Sequence, residues 1–244
     1  MSVLGSVLFN VWFFGLTAFL LVVSLPAHLV HRRWALTTAR VWMAGLSWGL
    51  RTFCGLTYEL RGRIDLLQAP GLVACKHQSA WDTMIFHAIA GEPAYVMKKE
   101  LLSIPLYGWL ARKQGNIAVD RKGGAAALKS MMEAAVAAIA DGRQIVIFPQ
   151  GTRTPPGATT ADWPYHPGVA GLYAKLGVPC VPVALNSGVF WGRRSFVKKR
   201  GKMVLEVLEP IPPGLPRAAF MRELEARIET ATARLEAEAG GTAP

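Results

Sequence analysis

Residues 3–25 form a run of Val, Leu and Phe with Trp12 and small residues, and no charged side chain occurs before Arg32. Such a segment must bury its surface in a protein core or in lipid, because water penalises so much contiguous apolar area. As a helix it would extend about 35 Å at 1.5 Å per residue, enough to cross a hydrocarbon layer about 30 Å thick. Pro26 then interrupts the run, and His31-Arg32-Arg33-Trp34 supplies cations and an aromatic anchor suited to a membrane interface. A cleaved signal peptide fits less well, since the run lacks a positive leading region and a small-x-small cleavage site.

A second apolar segment spans residues 34–54 and carries Trp34, Trp42 and Trp48, with Arg40 and Arg51 as its charges. Tryptophans flanked by arginines suit a helix lying in the interface better than a core helix. Residues 1–55 are therefore expected to be a membrane-anchoring helical hairpin, and residues 56–244 a separate catalytic domain. The flanking arginines place that domain on the cytoplasmic side of the inner membrane. The net charge of +11 in a chain that is 52% hydrophobic agrees with an anionic lipid surface as partner. No helix-turn-helix, zinc or RNP-type pattern supports nucleic acid as the target of that charge. Cys54, Cys75 and Cys180 are odd in number and lack metal-ligand spacing, which fits free thiols in a reducing compartment.

Beyond residue 55 the pattern changes to alternating strands and helices. Strands are expected at 57–61, 72–75, 94–97, 116–119, 144–148, 181–185 and 203–207. Helices are expected at 82–90, 106–112, 124–140, 169–176 and 217–238. Short uninterrupted apolar strands such as Ile145-Val146-Ile147-Phe148 indicate a sheet covered on both faces. The expected fold is α/β, a mixed sheet flanked by helices.

At the end of the strand at 72–75 stands Cys75-Lys76-His77-Gln78-Ser79-Ala80-Trp81-Asp82. The carboxyl ends of strands are where α/β sheets usually carry their chemistry. Histidine ordinarily exchanges a proton near neutral pH, so His77 is suited to act as a general base. Asp82 can hold its other ring nitrogen if His77 sits in the loop and Asp82 in the first helical turn. A lone histidine beside a helix start is more often structural, so the pair gains weight only from its neighbours. Ser79 and Cys75 are rival nucleophiles for a hydrolase, although no G-x-S-x-G elbow surrounds Ser79 and Cys75 lies inside an apolar strand.

Three further blocks follow: Gly115-Asn116-Ile117-Ala118-Val119-Asp120-Arg121, Phe148-Pro149-Gln150-Gly151-Thr152-Arg153, and Val181-Pro182-Val183-Ala184. In this order the set resembles the glycerolipid acyltransferase family, in particular its bacterial 1-acyl-sn-glycerol-3-phosphate acyltransferases, over roughly residues 56–215. The resemblance implies transfer of a fatty acyl group from acyl-CoA or acyl carrier protein to the free hydroxyl of a lysophospholipid. It implies no metal and no bound cofactor, the thioester being a co-substrate. It makes His77 and Asp82 the catalytic pair and Arg121, Arg153 and Lys98 the residues that hold the acceptor phosphate. A guanidinium fork matches phosphate oxygens in two places at once. Gly151 and Thr152 would let backbone N–H groups approach the ligand.

One position departs from the family pattern. Its third block usually reads Phe-Pro-Glu-Gly-Thr-Arg, and here the acid is replaced by Gln150. The change removes a negative charge but keeps one carbonyl acceptor, so Gln150 bears on the acceptor rather than on the reaction class. Alternatives are another lysolipid acceptor such as lyso-ornithine lipid, a membrane-associated thioesterase or hydrolase, and a lipid-binding protein without catalysis. The basic pairs Arg193-Arg194 and Lys198-Lys199-Arg200 are expected to touch lipid headgroups, coenzyme A or an acidic carrier protein.

Overall fold

The computed structural model describes residues 3–25, 32–120 and 123–241. Seven strands form one sheet in the order β1-β7-β6-β2-β5-β3-β4. They are β1 (Leu56–Gly62), β2 (Gly71–Cys75), β3 (Pro93–Lys98), β4 (Ile117–Val119), β5 (Gln144–Ile147), β6 (Cys180–Leu185) and β7 (Gly201–Val207). Parallel pairing links β6-β2-β5-β3-β4, whereas β7 meets β6 antiparallel and carries β1 parallel to itself. Each expected strand lies within two residues of an observed one.

Every residue of β2, β5 and β6 is buried, as expected of central strands covered on both faces. Alternation sorts their side chains between two cores. Val73, Cys75 and Val146 face one cluster, with Met43, Leu46, Trp81 and Phe86. Leu72, Ala74, Ile145 and Ile147 face the other, with Met131, Tyr173, Phe220 and Leu224. The first cluster is covered by α1 (Val3–Val23), α2 (Arg32–Gly49) and α3 (Trp81–Ile89). The second is covered by α5 (Gly124–Ala140), α6 (Gly168–Leu176) and α8 (Arg217–Gly241). Two short helices, α4 (Tyr107–Lys113) and α7 (Ser187–Phe190), are also present. Helix α8 presents Phe220, Leu224, Ile228, Ala231 and Leu235 inward, a three-to-four-residue spacing that keeps one stripe on the sheet.

Helices α1 and α2 pack against each other through aromatic side chains. Trp12 Nε1 donates to Gly45 O at 2.8 Å, and Trp42 Nε1 donates to Thr17 Oγ1 at 2.9 Å. The Trp12 and Trp48 rings lie 4.8 Å apart. A wider π-helical turn, Leu50–Cys54, ends α2 and delivers the chain to β1. The pair is also fixed to the sheet domain. Phe9 is fully buried and meets Trp191 edge-on at 5.6 Å.

Lys198 departs from the headgroup role expected of it. It is buried, its Nζ donates to Asn10 Oδ1 at 3.0 Å, and the ammonium sits 5.0–5.5 Å from the centres of the Phe9, Trp191 and Phe196 rings. Ring faces attract a partly desolvated cation, so Lys198 holds α1 to the β6–β7 connection. The opposite side of α1 leaves Val3, Leu4, Val7, Val11, Phe14 and Phe19 exposed.

Candidate active site

The β2–α3 connection is organised around one carboxylate. Asp82 sits in the first turn of α3 and is fully buried. Its Oδ2 accepts from Gln78 N at 2.6 Å and Ser79 N at 2.8 Å, and lies 3.0 Å from His77 Nδ1. Its Oδ1 accepts from Ser79 Oγ at 2.8 Å and Ser187 Oγ at 2.5 Å. A buried carboxylate is tolerated only when so satisfied, and its place at a helix N-terminus is favourable. With Asp82 as acceptor, His77 carries its proton on Nδ1, which leaves the Nε2 lone pair free to take another.

The third sequence block holds the histidine from the other side. His77 O accepts from Thr154 N at 2.8 Å and Thr154 Oγ1 at 3.2 Å. The Phe148 ring lies 4.3 Å from the imidazole at 30°. Gly151 adopts φ +63°, a left-handed conformation that glycine takes without strain, and closes the turn by donating to Phe148 O at 2.8 Å.

Helix α8 grips both residues that flank His77. Lys76, 1% exposed, places its ammonium 2.8 and 2.7 Å from the two carboxylate oxygens of Glu229, which also accepts from Tyr165 Oη at 2.7 Å. Gln78 is fully buried; its Nε2 donates to Glu236 Oε1 at 2.5 Å, and its Oε1 accepts from Gly188 N at 3.1 Å. The sequence offered no local signal for these partners, which lie 105 to 158 residues away.

His77 opens onto a cavity of about 710 Å³ between the sheet, α1, α2, α3 and α4. Its wall includes the cations Lys98, Arg153, Arg193 and Arg194, with Gly151 and Thr152. Among the described residues none of these four cations has a carboxylate within ion-pair distance. Elsewhere the wall is largely apolar, with Leu20, Leu21, Ala39, Trp42, Ile104 and Leu110.

The structure therefore gathers His77, Asp82, Lys98, Gly151, Thr152 and Arg153 at one site and adds Arg193 and Arg194. Arg121 lies outside the described residues. Gln150 does not join the others. It is buried, donates from Nε2 to Trp163 O at 3.1 Å, and is not part of the cavity wall, because the loop backbone uses its amide. The rival nucleophiles are also placed elsewhere. Ser79 Oγ is committed to Asp82. Cys75 is fully enclosed, and burial, reinforced by the nearby Asp82 charge, pushes its thiol well above the ordinary range.

Residues 58–186 match the model of the Acyltransferase family. The chain belongs to that family and is an acyltransferase. It is 30% identical over 191 residues to a 1-acyl-sn-glycerol-3-phosphate acyltransferase of Pseudomonas aeruginosa, covering 78% of this chain and 71% of the relative. It is 28% identical over 203 residues to a lyso-ornithine lipid O-acyltransferase of the same organism, covering 75% and 76%. The crystal structure of the acyltransferase PlsC from Thermotoga maritima has the same fold, with a TM-score of 0.74 at 19% identity over 95% of this chain and 96% of that one.

Two measurements test this arrangement. Removing one partner of a buried ion pair strands the other's charge, so Glu229→Ala should destabilise the fold by about 3 kcal/mol. Adding Lys76→Met should recover most of that loss, as read by chemical denaturation in detergent. The second concerns His87, whose imidazole is pushed down to about 4 by burial and then by the Arg40 cation. Between pH about 4 and 6.5 the unfolded chain binds the extra proton. Stability from this group is complete above 6.5 and lost as pH falls toward 4, at most about 3 kcal/mol. His87→Leu should flatten that part of the stability–pH curve.

Proposed function

We propose that the enzyme transfers a fatty acyl group from acyl-CoA or acyl carrier protein to the free sn-2 hydroxyl of 1-acyl-glycerol 3-phosphate, yielding phosphatidate. The observation that carries this reading is one cavity lined by His77, oriented by Asp82, and by Lys98, Arg153, Arg193 and Arg194, none of which has a carboxylate partner among the described residues. His77 Nε2 takes the hydroxyl proton as the acceptor oxygen attacks the thioester carbonyl. The carbonyl electrons move onto its oxygen, and the tetrahedral intermediate collapses to the ester as the thiol leaves with the proton from His77. Asp82 keeps the imidazole in the required tautomer and stabilises its charged form. Such general-base assistance is typically worth about 10²–10⁴-fold in rate.

Arg153, with Lys98 and Arg121, is assigned to the acceptor phosphate. A doubly charged phosphate suits this cluster better than the zwitterionic headgroup of lyso-ornithine lipid, which remains the second acceptor to test. No acyl-enzyme is needed, since the serine and cysteine nearest the histidine are occupied or enclosed.

Residues 1–55 are read as the membrane anchor and residues 56–244 as the catalytic domain, on the cytoplasmic side of the inner membrane. The support is α1, the one described helix long and apolar enough to cross a membrane by length and composition, and the exposed apolar face it shares with Trp34 and Trp48 of α2. Because Leu20, Leu21, Ala39 and Trp42 also line the cavity, the anchor would feed the acyl chain directly to the site.

Radiolabelled acyl-CoA supplied with a panel of lysolipids should give phosphatidate with the glycerophosphate acceptor. Free fatty acid as the sole product, with or without acceptor, would establish a hydrolase instead. His77→Ala should lower transfer by at least about 10²-fold with the fold and vesicle binding intact; retained activity would overturn the base assignment. Arg153→Ala should raise the acceptor KM by about 10–100-fold, the worth of a charged hydrogen bond, and leave the donor KM nearly constant. The reverse pattern would move Arg153 to the donor.

A further inference from the structure

The strand that delivers His77 divides the cavity's cations into two sets. His77 follows β2, which pairs with β5 on one side and β6 on the other. Lys98 ends β3 and Arg153 follows β5, both on the first side. Arg193 and Arg194 belong to the connection that leaves β6, on the second. All four line the same cavity as His77. The acceptor assignment uses only the first set.

The second set is held in place. At the start of the β6–β7 connection, Ser187 Oγ donates to Asp82 Oδ1 and Gly188 N donates to Gln78 Oε1. Near its end Lys198 N donates to Ser6 Oγ of α1 at 3.0 Å. Between these ties the Arg193 guanidinium lies 5.8 Å from the centre of the Trp163 ring, a contact that favours a cation, and Trp163 O accepts from Gln150 Nε2. Arg194 adopts φ +59°, a left-handed conformation that residues with a side chain seldom take. Such strain persists where the surroundings over-determine it, and it gathers at ligand sites. Both arginines are exposed, so an anion can reach them.

Charge indicates what that anion is. A phosphate monoester carries at most two negative charges near neutral pH. Lys98 and Arg153 match them even before Arg121 is added, which leaves Arg193 and Arg194 without a counter-ion. The reaction brings a second anion. The acyl donor carries its thioester on a pantetheine arm that ends in a phosphate, in coenzyme A and in a carrier protein alike, and a guanidinium fork matches phosphate oxygens.

We propose that Arg193 and Arg194 form a second phosphate subsite, which takes the phosphate of the donor's pantetheine arm or, in coenzyme A, of the nucleotide beyond it. This rests on the reading of the cavity as the acyl-transfer site. Donor and acceptor phosphates are then held by cations from different elements, with the base at the end of the strand between them.

The test combines Arg193→Ala with Arg194→Gly in the full-length protein, glycine taking the left-handed φ without strain. The KM for the accepted donor, acyl-CoA or acyl carrier protein, should rise about 10–100-fold, the worth of a charged hydrogen bond, while the acceptor KM stays nearly constant. Acyl-pantetheine, which has no phosphate, should not distinguish the variant from the unmodified enzyme. Acyl-phosphopantetheine locates the contact: a loss retained with it lies on the arm, and a loss seen only with acyl-CoA lies on the nucleotide. An unchanged donor KM, an acceptor KM that rises as much or more, or an equal loss with acyl-pantetheine would overturn the subsite. Binding of coenzyme A in detergent, read by titration calorimetry, needs no turnover and should weaken by a similar factor. A protein that binds coenzyme A through these residues yet transfers nothing would keep the subsite and refute the acyltransfer reading alone.

Discussion

The Asp82 carboxylate is the interaction on which the site depends. A fully buried anion survives only where donors replace its water. Here four donors come from His77, Gln78 and Ser79, and a fifth from Ser187, just past the end of the neighbouring strand β6. Satisfying them fixes the loop backbone, the start of α3 and the orientation of the imidazole at once. The same bonds explain why Ser79 cannot serve as a nucleophile: its hydroxyl is part of the scaffold. Outside this shell, α8 adds two carboxylates of its own, Glu229 and Glu236, each held to a residue adjacent to His77. The C-terminal helix is thus a brace for the reacting loop as well as a cover for the sheet.

The strands were legible because each is short, apolar and bounded by a change of periodicity. Helix α5 has the boundaries expected from its alanine-rich run. The pairing of His77 with Asp82 could be read from their spacing and from the switch of strand to helix between them. Ser187, Glu229 and Glu236 could not, because a single buried hydrogen bond between segments a hundred residues apart leaves no local pattern. Lys198 misled for a related reason. In sequence it belongs to a basic cluster, but the aromatic rings that enclose it come from α1 and from earlier in its own loop.

Helices α1 and α2 tie the surface chemistry to the cavity. Their outward side is apolar and exposed, their inward side is bonded to the sheet domain through Phe9, Asn10 and Lys198, and between these they supply part of the cavity wall. A helix fastened to its own domain along one side cannot be surrounded by lipid on all sides over that length. The exposed apolar face and part of the cavity wall therefore belong to the same two helices.

The same logic resolves what Gln150 does. A carboxylate at this position could not donate to Trp163 O, whereas the amide does, closing the loop that follows Gly151 and Arg153. The substitution relative to the family pattern also takes one negative charge out of the turn that carries Arg153. Lys98, Arg153, Arg193 and Arg194 then face the cavity with no acidic side chain paired to them among the described residues. Like charges gathered without a counter-ion are unfavourable until an anion arrives, and the more charge that anion carries, the more of the repulsion it relieves. Replacing the acid by an amide therefore serves the loop, through the bond to Trp163 O, and adds no counter-charge to the turn that carries Arg153.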